Sequence, residues 1–296
     1  MTGAGSATAA YAMEPSGDYL GDPVDPTYIQ PGKNIEVTEL SLQNQLQRIR
    51  DPDNPEPFES LVGNLEGALG VTFTLTGDDW HELVFNDGGT GFTDGRMPSS
   101  RWYLGVDYLD GTTERVAKGA VVTDATVQYQ QGQPTTVSLT LLYGDEAANA
   151  SITPTDIQTA PEDSVHNFSG ADLDVDGTSQ TKLQSAQLSL SVNARFHRGP
   201  QRKPLDATIG SVNSALSTDA IYSGPDQKEI AYGGAEPASS LDAVDATLSF
   251  ENALAETISY SLGDLKPDTY GWNDLVNPEA DITEAVEYHV SSVGVA

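Results

Sequence analysis

The sequence predicts an all-β chain with short helices in which one β fold occurs twice, and three observations carry that prediction. Apolar and polar residues alternate with period two: in VTFTLTG, Val71, Phe73 and Leu75 face one way while Thr72, Thr74 and Thr76 face the other. Turn signals punctuate the alternating runs, at Asp110-Gly111, near Gly132 and at Asp176-Gly177. The two halves also match at a constant offset. Leu40-Ser41-Leu42 pairs with Leu188-Ser189-Leu190 at a separation of 148, as do Arg50 with Arg198 and Pro52 with Pro200. One deletion later, at an offset of 147, Gly63, Ala68, Leu69, Gly77, Asp79 and Glu82 are identical to Gly210, Ala215, Leu216, Gly224, Asp226 and Glu229. Self-similarity at a fixed period is the signature of a repeated unit.

In chain order, residues 1–32 are rich in Gly, Ala, Pro and Asp and read as an extended N-terminal arm. Asp22-Pro23 and Asp25-Pro26 disfavour helix there, because the proline ring crowds the preceding residue out of the α region. Residues 33–145 form a first β domain. It opens with a strand in which Ile35, Val37 and Glu39 alternate with Glu36, Thr38 and Leu40, continues through the proline-rich loop DPDNPEPFES to the strand VTFTLTG, and then reaches a short helix, DDWHELVFN. An aspartate near that helix's start is expected to cap free amides, with Trp80, Leu83 and Val84 as its apolar side. Two hairpins complete the domain, one turning at Asp110-Gly111 and one near Gly132. An acidic linker over 146–168 leads to a second, similar domain over 169–296.

Composition restricts the function. The chain has 44 acidic residues against 14 basic ones, a formal charge of −30. That excludes an ordinary nucleic-acid-binding module, which needs a basic face to release counterions from phosphate, and it disfavours an anionic membrane surface. With hydrophobic residues at 38% the chain can still form a core, so disorder of the whole is not expected. Such self-repulsion with so few cations fits a halophilic protein, because molar salt shortens the Debye length to about 3 Å. Cysteine is absent, which removes disulfides, a thiolate nucleophile and cysteine-ligated zinc. No apolar run approaches a bilayer span, and the N-terminus lacks the basic and apolar regions of a secretory signal.

Candidate chemistry is sparse, and no catalytic, cofactor-binding or metal site is assigned. Asp172, Asp174, Asp176 and Gly177 spell the opening of a calcium loop, but Leu183 stands where a bidentate acid is needed, so a hairpin turn is expected. His81, His166, His197 and His289 lack metal-ligand spacing. Asn149-Ala-Ser151 and Asn167-Phe-Ser169 are formal sequons. One charge feature stands out: Arg48 and Arg50 sit at the end of the first repeated strand, and Arg195, Arg198 and Arg202 with Lys203 at the matching place in the second. These arginines are candidates for contacts to acidic surface on another subunit, since the planar guanidinium binds carboxylates in a bidentate way. The alternative is pairing within the chain to Asp51, Asp53 or Asp206.

Several runs together carry a family resemblance. YLGDPVDPTYIQPGKNIEVTELSLQNQLQRIRDPDNPEP, GNLEGALGVTFTLTGDDWHELVF, ERVAKGAVVTDATVQYQQGQPTTVSLTLLYGDE and KLQSAQLSLSVNARFHRGPQRKPLDATIGSVNSAL span much of residues 19 to 250. In their order they resemble the tail tube proteins of long-tailed phages and archaeal viruses, and the acidic composition is similar to that of a haloarchaeal tailed virus. The resemblance implies a β-sandwich or open barrel with a short helix beside it. It implies a structural virion protein and not an enzyme, with subunits joining inner sheets around a channel and rings stacking into the tube that passes viral DNA. A duplicated tube domain implies a trimeric, pseudo-sixfold ring, with a hexamer as the fallback. Partners would be further copies of the chain, the tail terminator, baseplate or tip proteins, and transiently the tape measure protein and DNA. Location would be the viral tail after assembly in the host cytoplasm. The N-terminal arm and the loops 50–61 and 198–207 are candidates for contacts between rings. The competing readings are a non-viral halophilic cell-surface β-sandwich, such as an adhesin or cell-wall module, and a carbohydrate-active enzyme using Trp80, Trp102 or Trp272 as platforms.

Overall fold

In the computed structural model, residues 6–24, 26–50, 52–53, 56–108, 110–148, 157–277 and 279–295 are described. The first half contains β1 (Ser6–Met13), β2 (Tyr28–Ile29), β3 (Lys33–Gln43), β4 (Gln47–Arg50), β5 (Pro57–Leu61), β6 (Glu66–Thr74), α1 (His81–Val84), β7 (Ser100–Tyr108), β8 (Gly111–Gln130), β9 (Thr136–Tyr143), β10 (Asp145–Ala148) and β11 (Ile157–Gln158). The second contains β12 (His166–Val175), β13 (Thr178–Ser179), β14 (Leu183–Ser191), β15 (Arg195–Arg198), β16 (Pro204–Thr208), β17 (Asn213–Ile221), α2 (Asp226–Tyr232), β18 (Val244–Asn252), β19 (Thr257–Asn273), β20 (Thr283–Val290) and β21 (Ser292–Val295). Among the described residues the fold is all-β with two short helices, as the alternating pattern predicts.

Each half pairs its strands in the same way. In the first, an inner sheet runs β3-β6-β9-β8; in the second, it runs β14-β17-β20-β19. The long strands β8 and β19 bend out of these sheets and continue in an outer layer, β1-β7-β8-β10 and β12-β18-β19-β21. Even the irregularities repeat. The register of β8 on β9 slips between Val122 and Asp124, and that of β19 on β20 slips at the corresponding place, between Pro267 and Thr269. A bulge bends and twists a strand, and here it lies where each long strand passes from one layer to the other.

Between the layers lies one core that runs through both halves, from Leu69, Phe73, Trp80 and Trp102 to Leu216, Phe250, Tyr260 and Tyr288. Val71, Phe73 and Leu75 are buried together, as their alternation requires. Trp80, Leu83 and Val84 bury the apolar side of α1 against this core. The expected aspartate cap is not made: α1 has no side-chain cap, and the backbone carbonyl of Asp78 accepts from the His81 amide instead. The α2 helix ends where Gly233 takes the left-handed conformation (φ 72°), so that the Gly233 and Gly234 amides reach back to the last turn.

Some local expectations move. Within the predicted arm, β1 pairs along its whole length with β7, and Tyr11 is buried against Trp102. Tyr28–Ile29 pairs with the segment 157–158 that falls in the predicted linker, and 145–148 adds a strand to β8. The first long hairpin closes with Tyr108 opposite Gly111, one residue earlier than Asp110-Gly111 implies. The turn at Asp176-Gly177 is found, with positive φ at both residues as a tight hairpin turn demands. Asp172 there accepts from the Ser179 hydroxyl.

Candidate assembly interface

The two halves meet edge to edge. Strand β8 carries β9 on one edge and on the other pairs antiparallel with β14, from Asp124 opposite Ser191 to Gln130 opposite Ser185. The two inner sheets thereby become one, in the order β3-β6-β9-β8-β14-β17-β20-β19. On the core side of this seam Val127 faces Leu188 and both are fully buried. On the opposite side Ser191 donates to Asp124 at 2.7 Å. Among the described residues, the outer edge of β3 and that of β19 from Thr269 to Asn273 carry no further strand, so each end of the joined sheet keeps an open ladder.

The face of the sheet turned from the core is polar and lightly charged. It presents Thr126, Gln128, Ser138, Thr140, Ser189 and Ser217, with the carboxylates of Glu39, Asp124, Asp219 and Glu287 among them. Thr72 and Ser138 share a hydrogen bond across two strands on this face, at 2.9 Å. Such a surface offers no basic grip for phosphate.

The predicted arginines divide into two groups. Arg198 and Arg202, on and after β15, cross from the second half to the first. Arg198 pairs with Glu66 at 2.5 Å and donates to the carbonyl of Leu65 at 3.1 Å, while its guanidinium sits 5.5 Å from the Phe196 ring. Arg202 donates to the Gly63 carbonyl and to Asn44, and Lys203 pairs with Asp145 at 2.6 Å. Arg48, Arg50 and Arg195 are exposed on their hairpins. The in-chain partners anticipated for these residues are not used by Arg198: Asp206 is instead paired with Arg96 at 2.9 Å, and Asp51 lies outside the described residues.

Other sequence candidates resolve into structure. His81 is buried, with its Nε2 2.8 Å from the Tyr260 hydroxyl, and desolvation pulls its pKa down to about 4. Burial also lowers His166. Among the described residues no group of three or more potential ligands is placed to hold a metal. Asn167 is exposed on β12; the Asn149 sequon lies outside the described residues. Trp80 and Trp102 are core residues, whereas Trp272 is 40% exposed beside Tyr222 and Tyr270. Sequence reasoning named Trp272 only as a sugar platform and did not connect it with Tyr222 and Tyr270 or with a subunit contact. The sequence repeat at 147 sets Asp274 against Val127; only the strand pairing, which shifts these two strands to an offset of 145, puts Trp272 in the place of that buried seam residue.

Among the described residues the joined sheet has two open, matching ends, a feature on which copies of a chain can pair edge to edge. The chain belongs to the phage tail tube protein family, whose model matches residues 5–283. As a member it is a structural component of the virion tail that self-assembles into a tube. A comparison with curated proteins finds no match.

Proposed function

We propose that three copies of this chain close into a pseudo-sixfold ring, and that stacked rings form the tube through which viral DNA is ejected. The observation that carries this reading is the seam between β8 and β14. It joins two domains of equivalent strand order within one chain, and it leaves the equivalent edges, β19 and β3, open at the two ends. Repeating the same joint between copies needs no new kind of contact, and closure removes the exposed strand edges that otherwise promote uncontrolled aggregation. On this reading the domains span 33–145 and 169–296, flanked by the arm 1–32 and the linker 146–168.

The polar face then lines the channel. Its hydroxyls, amides and carboxylates repel or ignore phosphate, so that a duplex slides without being held. The arginines would act at subunit contacts. Arg50 occupies the repeat position of Arg198, which supports its reaching a neighbour's second domain as Arg198 reaches the first domain in the chain. The net charge of −30 supports a haloarchaeal virus as source. Terminator, baseplate or tip proteins would meet the tube ends, the tape measure protein and DNA its lumen, and assembly would take place in the host cytoplasm.

Electron microscopy of the purified chain in molar salt tests the reading. Threefold rings with a hole wide enough for duplex DNA are expected. Sixfold rings would overturn the trimer, and a monomer at every salt and protein concentration would overturn spontaneous ring formation.

A further inference from the structure

From the internal repeat we infer that Trp272 is the central anchor between copies, seated in its neighbour's groove beneath β3 with β19 and β3 paired in a defined register. The inference rests on the ring reading above and names the residues that make it.

The register follows from the in-chain seam. Strand β6 maps onto β17 and β9 onto β20 at an offset of 147, since Gly67 opposite Tyr143 becomes Ser214 opposite Val290. Strand β8 maps onto β19 at 145: Asp124 opposite Thr140 becomes Thr269 opposite Glu287. Strand β3 maps onto β14 at 148, since Leu40 opposite Leu69 becomes Leu188 opposite Leu216. In the chain Val127 lies opposite Leu188 and Thr126 opposite Ser189. Carried to the free edges, Trp272 lies opposite the neighbour's Leu40, and Gly271 opposite its Ser41.

The burial pattern shows what such a contact would cover. A groove of about 530 Å³ opens between β1, β7 and β3, and Ala9, Leu40, Leu104 and Val106 are among its walls. Their counterparts in the second half are Leu173, Leu188, Leu248 and Phe250, all buried in the core that the two halves share, with Leu188 sealed by Val127 at the seam. In the first half Ala9 and Leu104 are already buried, whereas Leu40 is only half-buried and Val106 is 38% exposed. The same contrast holds for the incoming side chain: Val127 is sealed at the seam, and Trp272 is open to water. A large exposed aromatic at the centre of the edge, beside Tyr270 and opposite an apolar slot, is the composition of an interface hot spot. The occupant is therefore a second copy of the chain.

Paired cysteines test the register, because the chain has none of its own. A Gly271→Cys, Ser41→Cys variant is oxidised in molar salt. Gly271 has no atom within 4 Å of an added Cβ, so the first substitution is sterically free. Thr126→Cys with Ser189→Cys, the equivalent pair inside the chain, shows whether that ladder position can close a disulfide. Gly271→Cys with Thr140→Cys, three strands away in the ring, gives the background of chance cross-links.

The expected result is an intrachain bridge in the control and, for Gly271 with Ser41, covalent species at two and three chain masses that the background pair lacks. Rings seen by microscopy with a closed control but no Gly271–Ser41 bridge would overturn this register and leave the ring reading standing. Absence of rings in the unmodified chain would overturn the ring reading, and this inference with it. As a second readout, Trp272→Ala should weaken ring formation at least tenfold in protein concentration while circular dichroism stays unchanged. Undiminished assembly of that variant would remove Trp272 as the anchor.

Discussion

Val127 and Leu188 stand opposite one another across the only in-chain junction between the two inner sheets among the described residues, and neither retains accessible surface. The junction is thus as dry as the interior of either half, and the core continues through it. A fold of this kind is expected to unfold as one unit. Replacing Leu188 by Ala should cost about 2–5 kcal/mol through lost burial and the cavity left behind. Differential scanning calorimetry in molar salt should show one transition, moved down in temperature. Two separated transitions, with only the second-half one displaced, would count against a shared core.

Arg198 and Arg50 should give opposite phenotypes although they occupy the same repeat position. Arg198 binds Glu66 and the Leu65 carbonyl within the chain, so Arg198→Glu should destabilise the monomer and open the β15–β16 hairpin to protease. The ion pair is partly exposed and screened by salt, which limits its own share to about 1 kcal/mol. Arg50→Glu should act chiefly on ring formation, beyond whatever the melting temperature loses with the in-chain contact of Arg50. Equal effects on stability, with no effect on assembly, would remove the arginines from the subunit contact.

Much of this architecture was legible in the sequence. The offset between halves was visible because core leucines and glycines are held at fixed spacing by pairing: Leu69 and Leu216 each meet a leucine across the ladder. Alternation located β6 and β14 for the same reason. The strand in residues 6–13 was missed, because SATAAYAM has small side chains and little amphipathic contrast; its partner β7 and the burial of Tyr11 define it. The interface residues were hidden differently. Trp272 reads as one aromatic among several until the mapping places it opposite a leucine, and the arginines' partners depend on loops that propensity does not position.

Gly67 is required by a close approach. An added Cβ would collide with the ring of Tyr143, whose hydroxyl donates to the Ser41 carbonyl of β3 at 2.7 Å and to Glu146 at 3.1 Å. Gly67→Ala should displace that ring and loosen β3, costing about 1–3 kcal/mol as an overpacked core substitution does. Hydrogen exchange should be faster in β3 of the variant than in β3 of the parent, while β14, whose partner strand β17 carries Ser214 at the equivalent place, stays unchanged. Unchanged exchange in β3 would show that Tyr143 does not hold the edge.

His81 gives stability a pH dependence whose sign can be worked out. Burial lowers its folded pKa from 6.5 to about 4. The unfolded chain therefore binds a proton in this window while the folded chain does not. The contribution is complete above pH 6.5 and is lost as pH falls toward 4, by about 3 kcal/mol in total if the full shift is expressed. His81→Gln, which cannot titrate, should reduce the slope of stability between pH 7 and 5 and leave the part owed to His166, whose pKa burial also lowers. A variant as pH-dependent as the parent over that range would reassign the effect to another group.

Salt should act more strongly than any single substitution. With a formal charge of −30 carried largely on the surface, carboxylates repel one another across distances that water screens only weakly at low ionic strength. The Debye length falls from about 10 Å at 0.1 M to about 3 Å at 1 M, so most of that repulsion is removed within this range. Apolar burial strengthens further with salts that are excluded from the protein surface. Melting temperature should therefore rise steeply from 0.1 to 1 M potassium chloride and more gently beyond, whereas potassium sulfate should continue to stabilise. Acid-to-amide substitutions separate the two effects. Replacing exposed acids such as Glu36, Glu229, Glu251 and Glu287 by Gln should raise the melting temperature at 0.1 M and change it little at 2 M. If those substitutions lowered stability most at 2 M, the acidic surface would be acting by holding cations and water in high salt, and repulsion would not be what salt relieves.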